Sequence, residues 1–157
     1  MVFRKVLPSN AHYSIRAPGN FYRDMREDVE ILREHRRFST CTTVILTSLD
    51  ALAAGDGEAT YGKFVELVER ELPELCADLH AIVPDKAGGR VLYDAFRNGF
   101  SHRRGPKANF AIADDNELDG GWAGELTIEG NGVYIAINVE KLIDRFIALV
   151  VKLEAAA

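Results

Sequence analysis

The chain lacks an apolar run of the roughly 20 residues that a membrane-spanning helix needs, so no membrane association is expected. It has little cysteine. Cys41 and Cys76 stand alone without ligand-like spacing and read as reduced, buried thiols, neither disulfide nor metal ligands. No glycine-rich phosphate loop follows a strand, and no βαβ alternation occurs, which excludes a nucleotide-binding parallel sheet. Gly88-Gly89 is therefore helix punctuation. The start, Met1 to Pro8, has no extended apolar stretch, so no secretory signal is expected and the location reads as cytoplasmic. Basic excess is also missing. The 19 Lys and Arg against 24 Asp and Glu leave a net charge of -5, which argues against nonspecific coating of nucleic acid. Histidine is scarce: His12, His35 and His80 read as surface or core residues, and neither metal nor cofactor is expected.

What is present suffices for one folded domain over residues 1–157, with 47% hydrophobic residues. Residues 1–19 form an irregular lead-in with Pro8 and a Pro18-Gly19 turn, and Asn20 is placed to cap a first helix reaching about Arg37. Phe21, Met25, Val29 and Leu32 repeat along it at helical spacing. A second helix spans about Ser39 to Ala54, with Val44, Ile45, Leu49 and Leu52 as its core stripe, and Gly55-Asp56-Gly57 ends it. Thr60 caps a third, whose face is Phe64, Val65, Val68, Leu72, Leu75 and Leu79. Pro73 within that pattern removes a helical hydrogen bond and predicts a kink or break near Leu72. A fourth helix runs from Gly88-Gly89 to Gly105-Pro106 and buries Leu92, Ala95, Phe96 and Phe100.

The period then changes. Phe110-Ala111-Ile112, Leu126-Thr127-Ile128 and Val133 to Ile137 read as short strands, and Gly130-Asn131-Gly132 signals a hairpin. The polar stretch Asp114 to Gly121 reads as a mobile loop. A last helix starts near Val139, with Leu142, Ile143, Phe146, Ile147, Val150 and Leu153 on its apolar face. The expected architecture is mainly α: an antiparallel bundle of four or five helices with a small β-hairpin, about 109–137, inserted before the C-terminal helix.

Function concentrates in the fourth helix. From Arg90 to Lys107 the basic residues are Arg90, Arg97, Arg103, Arg104 and Lys107, and the one acid is Asp94, a local charge of +4 in an acidic chain. Such a patch attracts phosphates, with Arg90, Arg103, Arg104 and Lys107 as candidate substrate-binding residues. A solvated helix end complementing the helix dipole would carry the same charges. Within the segment, Arg97-Asn98-Gly99-Phe100-Ser101-His102 sets a guanidinium, an amide and an imidazole close together. Arg97 can hold two phosphate oxygens, and His102 can take or give a proton near neutrality. Asn98 and His102 are four apart and share a helix face, so the amide can orient the imidazole. Gly99 lets another backbone or a substrate approach. Cleavage of RNA through its 2′-hydroxyl needs both an acid and a base, and a two-fold dimer would supply the second histidine. The bland reading is a helix end on which Asn98 and His102 cap backbone groups. Trp122, in a loop, packs on its own domain or stacks a base. Arg33-Glu34-His35-Arg36-Arg37 reads as a solvated face.

The Arg-Asn-x-x-x-His run on a late helix of a small bundle resembles the HEPN superfamily, and Leu92 to Lys107 resembles small bacterial members. That resemblance implies a helical bundle, a homodimer with two motifs facing across its interface, and metal-independent endoribonuclease activity in a toxin–antitoxin or anti-phage setting. Arg97, Asn98 and His102 match the family's functional positions one by one. RNA and a cognate antitoxin or regulatory protein are the implied partners. A non-catalytic module binding RNA, a nucleotide or a protein is the alternative. Some toxin members carry a modifiable tyrosine two residues after the histidine. Arg104 stands there in this chain, which argues against that mode of control. The hairpin is an addition to the minimal bundle.

Overall fold

A computed structural model describes residues 21–103 and 105–157, without the side chain of Arg103. The expected lead-in, its turns, the Asn20 cap, His12 and Arg104 lie outside the described residues.

The described chain is mainly helical with a small sheet. Helix α1 (Phe21–Glu34) buries only Met25 and Val29. Phe21, expected in the core stripe, is exposed at the start of the helix, where its ring meets only the edge of Tyr22 among the described aromatic rings. The helix also stops short of Arg37. Arg36 N–H donates to the Arg33 carbonyl at 2.9 Å and Arg37 N–H to that of Leu32 at 2.8 Å, with Arg36 at φ +55°. This is a Schellman stop, in which an arginine occupies the left-handed position that glycine usually takes.

Helix α2 (Phe38–Ala54) is the central element, touching α1 and four other segments of the helical layer. Its side chains from Phe38 to Ala54 include a single formal charge, Asp50, so most of its circumference can be buried. Cys41, Ile45, Leu46 and Leu49 are fully inside. Helix α3 (Tyr61–Glu71) starts as expected: Thr60 is extended, and its hydroxyl accepts the Lys63 N–H at 3.3 Å. Pro73 produces a complete break. Leu72 leaves the helical region, and α4 (Pro73–Ile82) begins anew with proline at its first position, where no intrahelical donor is lost.

The fourth predicted helix is the one that departs most from regularity. It consists of a single α-turn, α5 (Gly88–Val91), a π-helical segment (Leu92–Arg97) and α6 (Asn98–Arg103). Leu92, Ala95, Phe96 and Phe100 are buried as expected. Gly88 has a local reason: a Cβ there would lie 1.9 Å from the Cys76 carbonyl oxygen, so only glycine allows α5 this close to α4.

Three strands follow, β1 (Phe110–Ala113), β2 (Ala123–Ile128) and β3 (Gly132–Asn138), in the order β1-β3-β2. β2 and β3 form the antiparallel hairpin, with Thr127 opposite Val133 and Gly130 at φ +82° in the turn. β1 lies parallel to β3, with Phe110 opposite Ile135, so the inserted unit is a mixed sheet and not a hairpin alone. Ile135, Ile137 and Ala123 face the helices. The stretch Asp114 to Gly121 is tied down rather than loose. Asp114 and Glu117 exchange side chain–backbone hydrogen bonds, and Asp115 N–H donates to Glu140 at 2.7 Å. Buried Asn138 donates to Asp115 and to the Gly121 carbonyl, both at 2.8 Å, and its oxygen caps α7 (Val139–Ala156) at the Lys141 N–H. Helix α7 closes the core with Leu142, Ile143, Phe146 and Val150.

Candidate nucleic-acid site on the motif helix

The π-helical segment presents Tyr93 and Arg97 toward α2 and α3, and α5 carries Arg90 at its end. Arg97 is held from two sides. Its Nη2 donates to Asp50 Oδ2 at 2.5 Å and its Nη1 to Asn98 Oδ1 at 3.0 Å, while Cζ lies 5.1 Å from the Tyr93 ring centroid. The pair is largely buried, with 21% of the Arg97 side chain and 10% of Asp50 exposed. Its Nε is inaccessible and has no partner among the described residues. Each terminal nitrogen carries a second hydrogen that these two bonds do not use.

Asp50 is a member of the site that sequence reasoning missed. A signal existed: one carboxylate in an otherwise uncharged helix is costly to bury unless a cation meets it. Which cation it meets depends on how α2 packs against the motif helix.

Tyr93 extends the network. Its ring meets Phe64 at 5.2 Å and Tyr61 at 4.7 Å, both edge-to-face. The Tyr61 hydroxyl accepts from Arg90 Nε at 2.6 Å, and the Arg90 guanidinium carbon lies 5.6 Å from that ring centroid. The hydroxyl, followed by its electrostatic influence and that of Asp94, raises the pKa of Arg90, which is exposed. The order in space is Asp50, Arg97, Tyr93, Tyr61, Arg90.

Among the described residues, no hydrogen bond or ring contact joins His102 or the Lys107 side chain to this line. His102 is exposed on α6, and no hydrogen bond joins it to Arg97 or Asn98 among the described residues. The Asn98 carbonyl oxygen serves Arg97, which leaves its amide NH2 as the group that could reach the imidazole. Gly99 does admit another backbone, and it is the chain's own. A Cβ at Gly99 would lie 2.6 Å from the Gly105 carbonyl oxygen and 2.9 Å from the Lys107 nitrogen. Lys107 N–H donates to the Ala95 carbonyl at 2.9 Å, and its side chain lines a small cavity of about 120 Å³ with Lys86, Asp94 and Phe110. Arg103 belongs to α6, and Arg104 is outside the described residues.

His35, His80 and Trp122 take structural places. His35 and His80 each hold a backbone carbonyl through Nδ1, at 2.9 and 2.7 Å. Trp122 packs on the core between Lys141 and Arg145, whose cations lie 5.5 and 5.0 Å from its ring centroid. Among the described residues no three His, Cys, Asp or Glu side chains are grouped to hold a metal ion, and no helix is long and apolar enough to cross a membrane.

Comparisons with protein-family models, with curated proteins and with solved structures found no match. The fold and site themselves define a mainly helical domain with a small mixed sheet and an arginine–aromatic line on its motif helix.

Proposed function

We propose that the chain is a metal-independent endoribonuclease of HEPN type, working in the cytoplasm as a homodimer with a composite site. The observation that carries this reading is Arg97, immobilised by Asp50 and Asn98 with a further hydrogen on each terminal nitrogen, inside a basic segment of an acidic chain. An arginine already held in place loses little freedom when phosphate binds, and its charge is directed to oxygens that become more negative in the phosphorane. One His102 takes the proton of the RNA 2′-hydroxyl, whose oxygen forms a bond to phosphorus. The bond from phosphorus to the 5′-oxygen breaks, and the second His102, from the partner copy, protonates that oxygen. The products are a 2′,3′-cyclic phosphate and a 5′-hydroxyl. A toxin or anti-phage role, with an antitoxin or regulatory protein holding the enzyme in check, is part of the same reading.

A second reading is favoured by one specific feature. In a single copy Arg97 is neutralised by Asp50, and His102 stands outside its network. That arrangement suits a non-catalytic module binding RNA, a nucleotide or a protein.

The two readings separate in one experiment. Labelled RNA of mixed sequence is incubated in EDTA with wild type and with His102→Ala. The nuclease reading expects cleavage to cyclic-phosphate ends by wild type and none by the variant, with fold and oligomeric state unchanged. Cleavage retained by His102→Ala removes the mechanism, and a folded, dimeric, inactive wild type favours the binding module.

A further inference from the structure

The line running from Arg97 to Arg90 contains one cation whose charge is held in place but not neutralised. Arg97 faces the Asp50 carboxylate at 2.5 Å. Asp94, which also acts electrostatically on Arg90, is ion-paired with Lys86 at 3.7 Å. Arg90 itself is gripped at Nε by a neutral phenol, the Tyr61 hydroxyl at 2.6 Å. A phenol fixes the direction of a guanidinium while leaving its full positive charge and its two terminal nitrogens for another acceptor. An arginine kept only for stability of the fold would more commonly face a carboxylate.

The aromatic side of the line points the same way. Tyr61 opens α3 and is half-buried: it rests edge-to-face on Tyr93, which in turn rests on Phe64 in the core. Its ring is therefore braced from below and keeps part of its surface open. A braced, partly exposed ring beside a directed guanidinium is the combination by which single-stranded nucleic acid is bound: the base stacks and the phosphate pairs. Arg90 and Arg97 are seven residues apart on the same helical run, about 10 Å along its axis. That places Arg90 beside a neighbouring nucleotide of a strand whose reacting phosphate sits at Arg97.

We infer that Tyr61 and Arg90 form a subsite for a nucleotide flanking the scissile phosphate, with the base on the Tyr61 ring and the phosphate on Arg90, and that the substrate is therefore single-stranded RNA. The inference rests on the ribonuclease reading for its place in a reaction, but its binding step can be measured alone. A paired base is already stacked within its duplex and cannot lie on Tyr61, so double-stranded RNA of the same sequence binds more weakly at this subsite.

The test is fluorescence anisotropy with a short labelled 2′-O-methyl RNA of mixed sequence, which 2′-hydroxyl chemistry cannot cleave, over a range of salt. Arg90→Gln is expected to weaken binding about tenfold and to reduce the salt slope by about one. Tyr61→Phe keeps the ring but frees Arg90, and loses a few-fold. Tyr61→Leu removes the ring and loses about as much as Arg90→Gln. Annealing the RNA to its complement is expected to weaken binding to wild type. Circular dichroism checks each fold, and if Tyr61→Leu does not fold, Arg90→Gln and Tyr61→Phe decide. Unchanged binding by Arg90→Gln overturns the subsite, whatever His102→Ala does to cleavage. Equal affinity for duplex overturns the stacked base. Arg90-dependent binding with no cleavage by wild type retains the subsite and removes the nuclease. No binding of single-stranded RNA by wild type overturns the subsite outright.

Discussion

Asp50 and Arg97 show how one residue can serve both fold and site. Placing a buried carboxylate near the C-terminal end of α2 is unfavourable unless a cation reaches it, and Arg97 does so from the π-helical segment. Removing one member strands the other in a low-dielectric setting. Asp50→Ala is therefore expected to destabilise the protein by about 2–4 kcal/mol, measured by urea denaturation. The double variant Asp50→Ala/Arg97→Met leaves no stranded charge and should cost clearly less than Asp50→Ala. If the double variant is as unstable as the sum of the singles, the pair is not coupled as described. Arg36, at φ +55°, is a second residue whose conformation its own type does not favour, held by the turn that ends α1.

Among the elements, the motif helix is the one shaped by its surroundings. A regular α-helix from Gly88 to Arg103 would satisfy the sequence pattern, yet a π-helical segment takes its centre. The residues after α6 fold back on it, with Lys107 bonded to the Ala95 carbonyl and the 105–107 backbone lying on Gly99. Gly99→Ala should push these two backbones apart and destabilise by about 1–3 kcal/mol. A thermal melt unchanged from wild type would show that the return segment does not bear on the helix. The sheet is likewise joined to the helices by single polar groups. Asp78 of α4 accepts the Trp122 and Ala123 N–H groups at 3.1 and 3.3 Å, and Asn138 links loop, strand and α7.

At the scale of the whole molecule, folding encloses both thiols. Burial raises Cys41 from 9.0 to about 11, against the opposing influence of Arg33. Burial, with help from Glu69, raises Cys76 to about 12. The unfolded chain releases these protons near pH 9, whereas the folded chain keeps them. Their contribution to stability is therefore complete below pH 9 and lost as pH rises toward 11 and 12. Urea midpoints should fall across that window, and less so in a Cys41→Ala/Cys76→Ala variant. An equal fall in both proteins would assign the effect to other groups. The charge of the chain is uneven on the same scale: residues 90–107 carry +4 in a chain of net charge -5, so any RNA binding there weakens steeply with salt.

Much of the helical layer was legible because its information is local. Thr60 as a cap, Pro73 as a break, Gly55 as a stop and the stripes of α2, α4 and α7 depend on neighbours within one or two turns, where spacing and backbone chemistry decide. Arg97, Asn98 and His102 were legible as candidates for the same reason, being sequence neighbours, but among the described residues no hydrogen bond joins His102 to the other two. The rest depended on long-range contact. No local pattern pairs Asp50 with Arg97, 47 residues away, or Tyr61 with Arg90, 29 away. None sets β1 parallel to β3 rather than leaving the hairpin alone, or ties the polar loop through Asn138. None places a π-turn where an α-turn also fits. These features arise when buried charges and hydrogen-bonding groups must find partners inside a packed interior, and only the assembled chain determines which partners are within reach.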